Sequence, residues 1–206
     1  MIKTENISVM NFENAFRGMR NPLASWEQSD SYWDDYDREY IIGEKDLALA
    51  LKLIKAGSDH SKFMRQILIS MDITAPLYWF KEFDTYKVST VANSTSTMHT
   101  LHKTKITPEL FSVEGLDERN FIHFDDYCYY LELLRCQYLE TKDKDIWIQL
   151  IQMLPSSFNQ TRTVTFNYAV ASNIYPSREF HKLSEWRDFC KVINSLPYSN
   201  LITGKE

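Results

Sequence analysis

Residues 57–103 read GSDHSKFMRQILISMDITAPLYWFKEFDTYKVSTVANSTSTMHTLHK, and the order of parts within them decides the class of fold. QILISMDI, residues 66–73, is short, apolar and partly β-branched, which predicts a strand. Pro76 suits the first turn of a helix running through LYWFKEFDTYK, residues 77–87. Tyr78, Trp79, Phe80, Phe83 and Tyr86 are too many aromatics for one buried stripe. That helix is therefore either buried on several sides or part of an oligomer interface. Lys87 follows, and then the hydroxyl residues Ser89, Thr90, Ser94, Thr95, Ser96 and Thr97. A cation and a run of hydroxyls at the end of an aromatic helix offer what a phosphate-bearing ligand needs, positive charge and hydrogen-bond donors.

Toward the N-terminus, Ile7, Val9 and the residues before them predict a short first strand, and Asn11 suits the cap of a helix ending near Asn21-Pro22. Residues 27–39 are acidic and aromatic, which reads as a solvated loop with aromatic anchors. Asp34, Asp35 and Asp37 lack the Gly turn and terminal Glu of a calcium loop. From Glu44 to Ala56, Leu47, Leu51 and Ile54 recur at helical spacing, and Gly57 supplies the stop.

Toward the C-terminus, residues 104–120 read as a connection with a short helix opening at Thr107-Pro108. Phe121 to Thr141 is the longest predicted helix. Asp143 caps the next, DIWIQLIQML, which stops before Pro155. TRTVTFNY, residues 161–168, alternates as a strand does and passes into a helix toward Pro176. Leu183, Trp186, Phe189, Cys190 and Ile193 mark a final amphipathic helix. Mostly helix with a few strands predicts an α+β fold.

The 206 residues suit a single domain, 1–206, and 44% hydrophobic with 14% aromatic residues is ample for its core. A formal net charge of −5 argues against a nucleic-acid partner, which needs basic surface. Cys128, Cys136 and Cys190 are odd in number and sit in apolar helical contexts, as reduced core thiols of a cytoplasmic protein do. MIKTENISVM lacks the long apolar run of a signal peptide, and no segment is apolar for the ~18 residues of a membrane span. His99 and His102 lie three apart, with Asp126 or Glu132 as conceivable companions around a metal, but no zinc motif surrounds them.

Asp59-His60-Ser61 with Phe63, then Arg65-Gln66, a strand, and Ala75-Pro76 opening a helix resemble the core of the flavin-dependent thymidylate synthases. Further on, Leu154-Pro155, Arg162-Thr-Val-Thr-Phe-Asn167, Arg178 and Leu183-Ser-Glu185-Trp-Arg187 follow the order of that family's later landmarks. The resemblance spans residues ~45–195. It implies a mostly helical α+β fold with a small mixed or antiparallel sheet, FAD as cofactor, a dUMP-type nucleotide as substrate and a homotetramer. Thr85, Tyr86 and Lys87 stand where the family has its Arg-His-Arg signature, with Thr95 and Ser96 near the position of its signature Ser. Gln66 and Glu82 replace a family His and Gln.

By that resemblance His60, Ser61, Lys87 and Asn167 are candidates for the cofactor, and Lys87, Thr95, Ser96, Arg162, Arg178 and Arg187 for the nucleotide. No catalytic residue is assigned. Each candidate also has a structural reading. Lys87 suits the C-terminal end of its own helix, the hydroxyl run suits backbone capping, and Arg178 and Arg187 suit surface pairs with Glu179 or Glu185. Two functions stay open: a divergent synthase, and a nucleotide-binding or nucleotide-sequestering protein on the same fold without the redox reaction. A third, a protein-interaction role for residues 27–39, predicts no small-molecule ligand.

Overall fold

The computed structural model describes residues 2–205. The elements run β1 (Lys3–Met10), α1 (Phe12–Met19), β2 (Tyr32–Asp34), β3 (Glu39–Ile41), α2 (Glu44–Lys55), β4 (Leu68–Pro76), α3 (Leu77–Phe83), β5 (Val91–Ser94) and α4 (Thr97–Thr100). After these come α5 (Glu118–Thr141), α6 (Lys144–Gln152), β6 (Asn159–Asn167), α7 (Tyr168–Arg178), α8 (Ser184–Asn194) and α9 (Asn200–Thr203), with single 3-10 turns between several of them. The chain gathers into two compact units. One holds residues 1–5, 72–85 and 92–163, and the other 6–71, 86–91 and 164–206.

Four strands form a sheet in the order β1-β4-β6-β5. Along β4 the side chains alternate as the pleat requires, with Ile69, Met71, Ile73 and Ala75 at most 1% exposed and their neighbours half-buried. The half-buried face is polar and paired across the strands. The Thr74 and Thr161 hydroxyls meet at 2.7 Å, Thr163 donates to Asp72 at 2.5 Å, and Thr165 donates to Ser70 at 3.1 Å. As the number climbs by two on one strand it falls by two on the other, which fixes β4 and β6 as antiparallel neighbours in one register.

In the first unit, α5 and α6 form a helical hairpin. Asp117 caps α5 by accepting from the Asn120 amide, and Asp143 caps α6 by accepting from the Asp145 amide. Their shared core is Leu101, Ile106, Phe111, Cys128, Leu131, Leu134, Trp147 and Leu150. Glu132 ties this hairpin to the preceding connection. Its carboxylate accepts from Arg135 Nε at 2.7 Å, Arg135 Nη2 at 2.6 Å and the Ile106 amide at 2.8 Å. The fork of donors holds the Glu132 carboxyl well below the usual range, at about 2.

In the second unit, α7 packs against α8 and α9, and α1 against α2. Fully buried Phe16, Tyr168, Trp186 and Phe189 dominate its core. Asp46, wholly buried on α2, accepts from Arg20 Nε at 2.6 Å and from the Ser29 and Ser31 hydroxyls, both at 2.5 Å. Asp30 accepts from the first amides of α2, those of Lys45 and Asp46.

Three expectations need correction. The aromatic helix ends at Phe83 rather than Lys87, because Thr85 turns back to bond the Glu82 carbonyl with both its amide and its hydroxyl. Its Trp79, Phe80 and Phe83 are at most 1% exposed, so the protomer itself buries them and no subunit interface is needed to cover them. Residues 27–39 are no simple loop: Tyr32–Asp34 pairs antiparallel with Glu39–Ile41 as a hairpin, and Asp34 accepts from the Tyr36 and Asp37 amides across its turn. Asn11 occupies the cap position of α1 without a side-chain capping bond, since its amide donates instead to the Gln66 carbonyl at 2.9 Å.

Candidate functional site

Gly57, at φ 108°, ends α2 in the left-handed region that glycine adopts freely. The chain then doubles back, with the His60 and Ser61 amides both bonding the Gly57 carbonyl. These two adjacent residues line different cavities. His60 borders an apolar one of about 570 Å³ with Met19, Leu49, Leu53 and Phe63. Ser61 borders a smaller and more polar one of about 360 Å³ that also takes in Asn167.

The second cavity lies at the N-terminus of α7, in the second unit. Ser58, Ser61, Met64 and Arg65 come from the segment after α2, Val88 and Ser89 from the segment after α3, and Asn167, Ala169, Ser172 and Asn173 from the end of β6 and α7. Asn167 is 2% exposed, and its Oδ1 caps α7 by accepting from the Val170 amide at 2.9 Å. Its Nδ2 has no hydrogen-bond partner among the described residues. The Tyr168 amide is taken by the Ile67 carbonyl, while that of Ala169 lies in the first helical turn, where no intrahelical acceptor exists. Arg65 is the one formal charge in the lining and makes no ion pair among the described residues. A side-chain amide, a helix N-terminus, an unpaired guanidinium and several hydroxyls line one space, the chemistry of an anion site.

The other candidates are placed as follows. Lys87 is exposed, follows the turn after α3 and lies one residue before the cavity-lining Val88. Thr95 and Ser96 are exposed and do backbone work. The Thr95 amide donates to the Thr161 carbonyl at 2.9 Å, and the Ser96 carbonyl accepts the His99 and Thr100 amides at the start of α4. Arg162 pairs with Asp84 at 2.9 Å, donates to Gln160, and lies 3.9 Å over the Phe80 ring. Arg178 donates from Nε to the Tyr86 hydroxyl at 3.0 Å, and its guanidinium stacks 4.4 Å from the Trp186 ring. Tyr86, at the middle position of the expected signature, thus engages an arginine that the resemblance reserves for nucleotide. Arg187 donates to the His181 and Lys182 carbonyls and holds the turn before α8.

Of the candidates, the structure brings Ser61 and Asn167 to one cavity and leaves His60 on another. Ser58, Arg65, Ser89 and Asn173 also line the cavity of Ser61 and Asn167; the sequence marks Ser89 only as part of the hydroxyl run and Arg65 only as a landmark of the resemblance, and it gives no signal for Ser58 or Asn173. Among the described residues, no group of three or more His, Cys, Asp or Glu is arranged to hold a metal ion, and no helix is long and apolar enough to cross a membrane.

The sheet order, the α5–α6 hairpin and the run from α2 through β4 to α3 define the α+β fold of the flavin-dependent thymidylate synthases. Its nearly full-length counterparts include the crystal structure of the flavin-dependent thymidylate synthase ThyX from Helicobacter pylori complexed with FAD and dUMP, with a TM-score of 0.73 at 18% identity, covering 97% of each chain. A second structure of Helicobacter pylori ThyX with FAD and dUMP gives the same TM-score and identity, covering 98% of this chain and 96% of that one. At such identity the likeness is one of fold. No family model matches the sequence, and no curated protein matches it.

Proposed function

We propose that this chain binds a nucleotide-type ligand of the dUMP class on a thymidylate-synthase-like fold, with the ligand's phosphate at the start of α7. The observation that carries the reading is Asn167, a nearly fully buried amide whose Nδ2 has no partner and which lines a cavity with Arg65 and the Ala169 amide. A phosphate oxygen in the cavity would accept a hydrogen bond from this amide. Ser58, Ser61 and Ser89 add hydroxyls for the phosphate or sugar. Lys87, next in chain to the lining residue Val88, supplies a further cation in the same unit.

The cavity fits a flavin poorly. Its lining has no aromatic side chain to stack on an isoalloxazine ring and a single formal charge, and about 360 Å³ is at the small end of ligand sites. No redox step is therefore derived through it. Within this cavity the lining suits a nucleotide rather than a flavin.

Thermal unfolding with dUMP, deoxyuridine and FAD tests the reading. Saturation at 100 times Kd stabilises a folded state by about 2.7 kcal/mol. The expected result is a clear rise in Tm with dUMP, little with deoxyuridine, and loss of the dUMP shift in Asn167→Asp, which keeps the capping oxygen but adds an anion. Arg65→Ala should weaken the shift. A retained flavin band near 450 nm together with tritium release from C5-labelled dUMP would instead establish the synthase. No shift with any of the three ligands would refute both.

A further inference from the structure

A cavity of about 310 Å³ lies between α1 and the β2–β3 hairpin, within the second unit. Its aromatic lining comes from Trp26, Tyr32, Trp33 and Tyr40. Trp33 and Tyr40 are cross-strand partners, so both stand on one face of the hairpin, with their rings edge to face and the centroids 5.8 Å apart. Trp26 is held by its indole N–H, which donates to Asn21 Oδ1 at 2.9 Å. Both indoles are open to solvent, Trp26 at 47% and Trp33 at 51%. A lone surface aromatic is ordinary, whereas two tryptophans open to the same cavity mark a binding surface.

Glu13, Arg17 and Arg20 border the same space. Arg20 is engaged within the fold, paired with buried Asp46 and donating to the Ser25 and Gln28 carbonyls. Glu13 and Arg17 are exposed and make no ion pair among the described residues. They lie four apart on α1, which sets their Cβ atoms about 5–6 Å apart on one face. Glu13 stands on the aromatic side. Burial pushes the Tyr40 phenol up against the effect of its hydrogen bond with Ser31, and the Asp46 and Glu13 carboxylates add to the rise. Glu13, Trp33 and Tyr40 also border an adjoining cavity of about 460 Å³ that Arg17 does not line.

We propose that this cavity binds a phosphocholine group, with its methylated ammonium against Trp33, Tyr40 and Glu13 and its phosphate on Arg17. A quaternary ammonium has no N–H to donate, so ring faces and a nearby carboxylate recognise it where hydrogen-bond acceptors do not. A simple cation would meet the like charge of Arg17, and a simple anion that of Glu13. A ligand carrying both charges a few ångströms apart satisfies both side chains at once. A nucleotide brings only negative charge to this space and would leave Glu13 opposed. The inference is independent of the ligand reading above, since the two cavities share no residue.

Isothermal titration calorimetry of the full chain with glycerophosphocholine tests it, with choline, glycerophosphoethanolamine and dUMP in parallel. The expected result is saturable binding of glycerophosphocholine with Kd below about 1 mM, at least fivefold weaker binding of glycerophosphoethanolamine, and no displacement by dUMP. Glu13→Gln should weaken glycerophosphocholine and choline alike, at least fivefold, whereas Arg17→Gln should weaken glycerophosphocholine and leave choline unchanged. Both side chains are exposed, so neither change threatens the fold, which circular dichroism melting checks. Co-flotation with phosphatidylcholine vesicles, reversed by added glycerophosphocholine, would support the proposal and assign the group to a lipid surface. Calorimetric binding without co-flotation would support it and assign a free compound. No binding of glycerophosphocholine up to about 10 mM, equal affinity for glycerophosphoethanolamine, displacement by dUMP, or an Arg17→Gln variant that loses choline as strongly as glycerophosphocholine would overturn it.

Discussion

Replacing Glu132 with Gln should destabilise the unit that holds the α5–α6 hairpin, and the loss should itself depend on pH. The Glu132 carboxyl is lowered from 4.5 to about 2, first by the Arg135 guanidinium, against opposition from desolvation, and then by the Ile106 amide and the Cys136 thiol. Its side chain is 13% exposed, so solvent screens little of this. At about 1.36 kcal/mol per pKa unit, the ionised form contributes about 3 kcal/mol of stability. The folded value lies below the unfolded one, so the contribution is complete above the unfolded value of 4.5 and declines as pH falls toward about 2. Urea unfolding followed by tryptophan fluorescence, with Trp147 in the same core, provides the assay. The difference between wild type and Glu132→Gln should be about 3 kcal/mol at pH 7 and should shrink steadily as pH falls below the unfolded value, to about half by pH 3, with unchanged m-values. A difference below about 0.5 kcal/mol at pH 7, or one that stays flat down to pH 3, would refute the account of Glu132 as an ionised anchor.

Two further outcomes follow from buried or stacked charges. Asp46→Ala leaves Arg20 buried without its partner and frees the Ser29 and Ser31 hydroxyls, so it should cost about 3–5 kcal/mol and speed limited proteolysis within the hairpin 32–41. Arg162→Ala removes both an ion pair with Asp84 and a stack on Phe80. It should lower stability by about 1–2 kcal/mol while leaving the dUMP shift in place, whereas loss of that shift with an unchanged Tm would return Arg162 to the ligand site.

Much of the backbone was legible because local chemistry and tertiary burial agree. Asp143 announces α6 by its capping oxygen, Gly57 ends α2 where a left-handed residue is needed, and the alternation of residues 163–166 matches their burial. The hairpin 32–41 was hidden because its charges mask the two-residue period, and what fixes it lies elsewhere, in Asp46 on α2. Nothing in LYWFKEFDTYK shows that Thr85 bonds backward, so the sequence predicts α3 longer than it is. At the site, Asn167 was reached through the family resemblance, while Arg65, Ser89 and Asn173 belong to a cavity assembled from three separated segments. Arg162 and Arg178 looked available in sequence because Asp84, Tyr86 and Trp186, which engage them, are distant along the chain or unremarkable in type.

The paired hydroxyls between β4 and β6 also govern which changes of chain length the molecule tolerates. Shifting β4 by one residue would turn Ile69, Met71 and Ile73 outward and drive Ser70, Asp72 and Thr74 into the core, breaking three cross-strand bonds in the same motion. A single-residue insertion or deletion anywhere in β4 is therefore expected to abolish folding, whereas β5, an exposed edge strand of four residues, has no buried face to misplace. Length variation among natural variants of this chain should accordingly gather around residues 91–94 and spare residues 68–76.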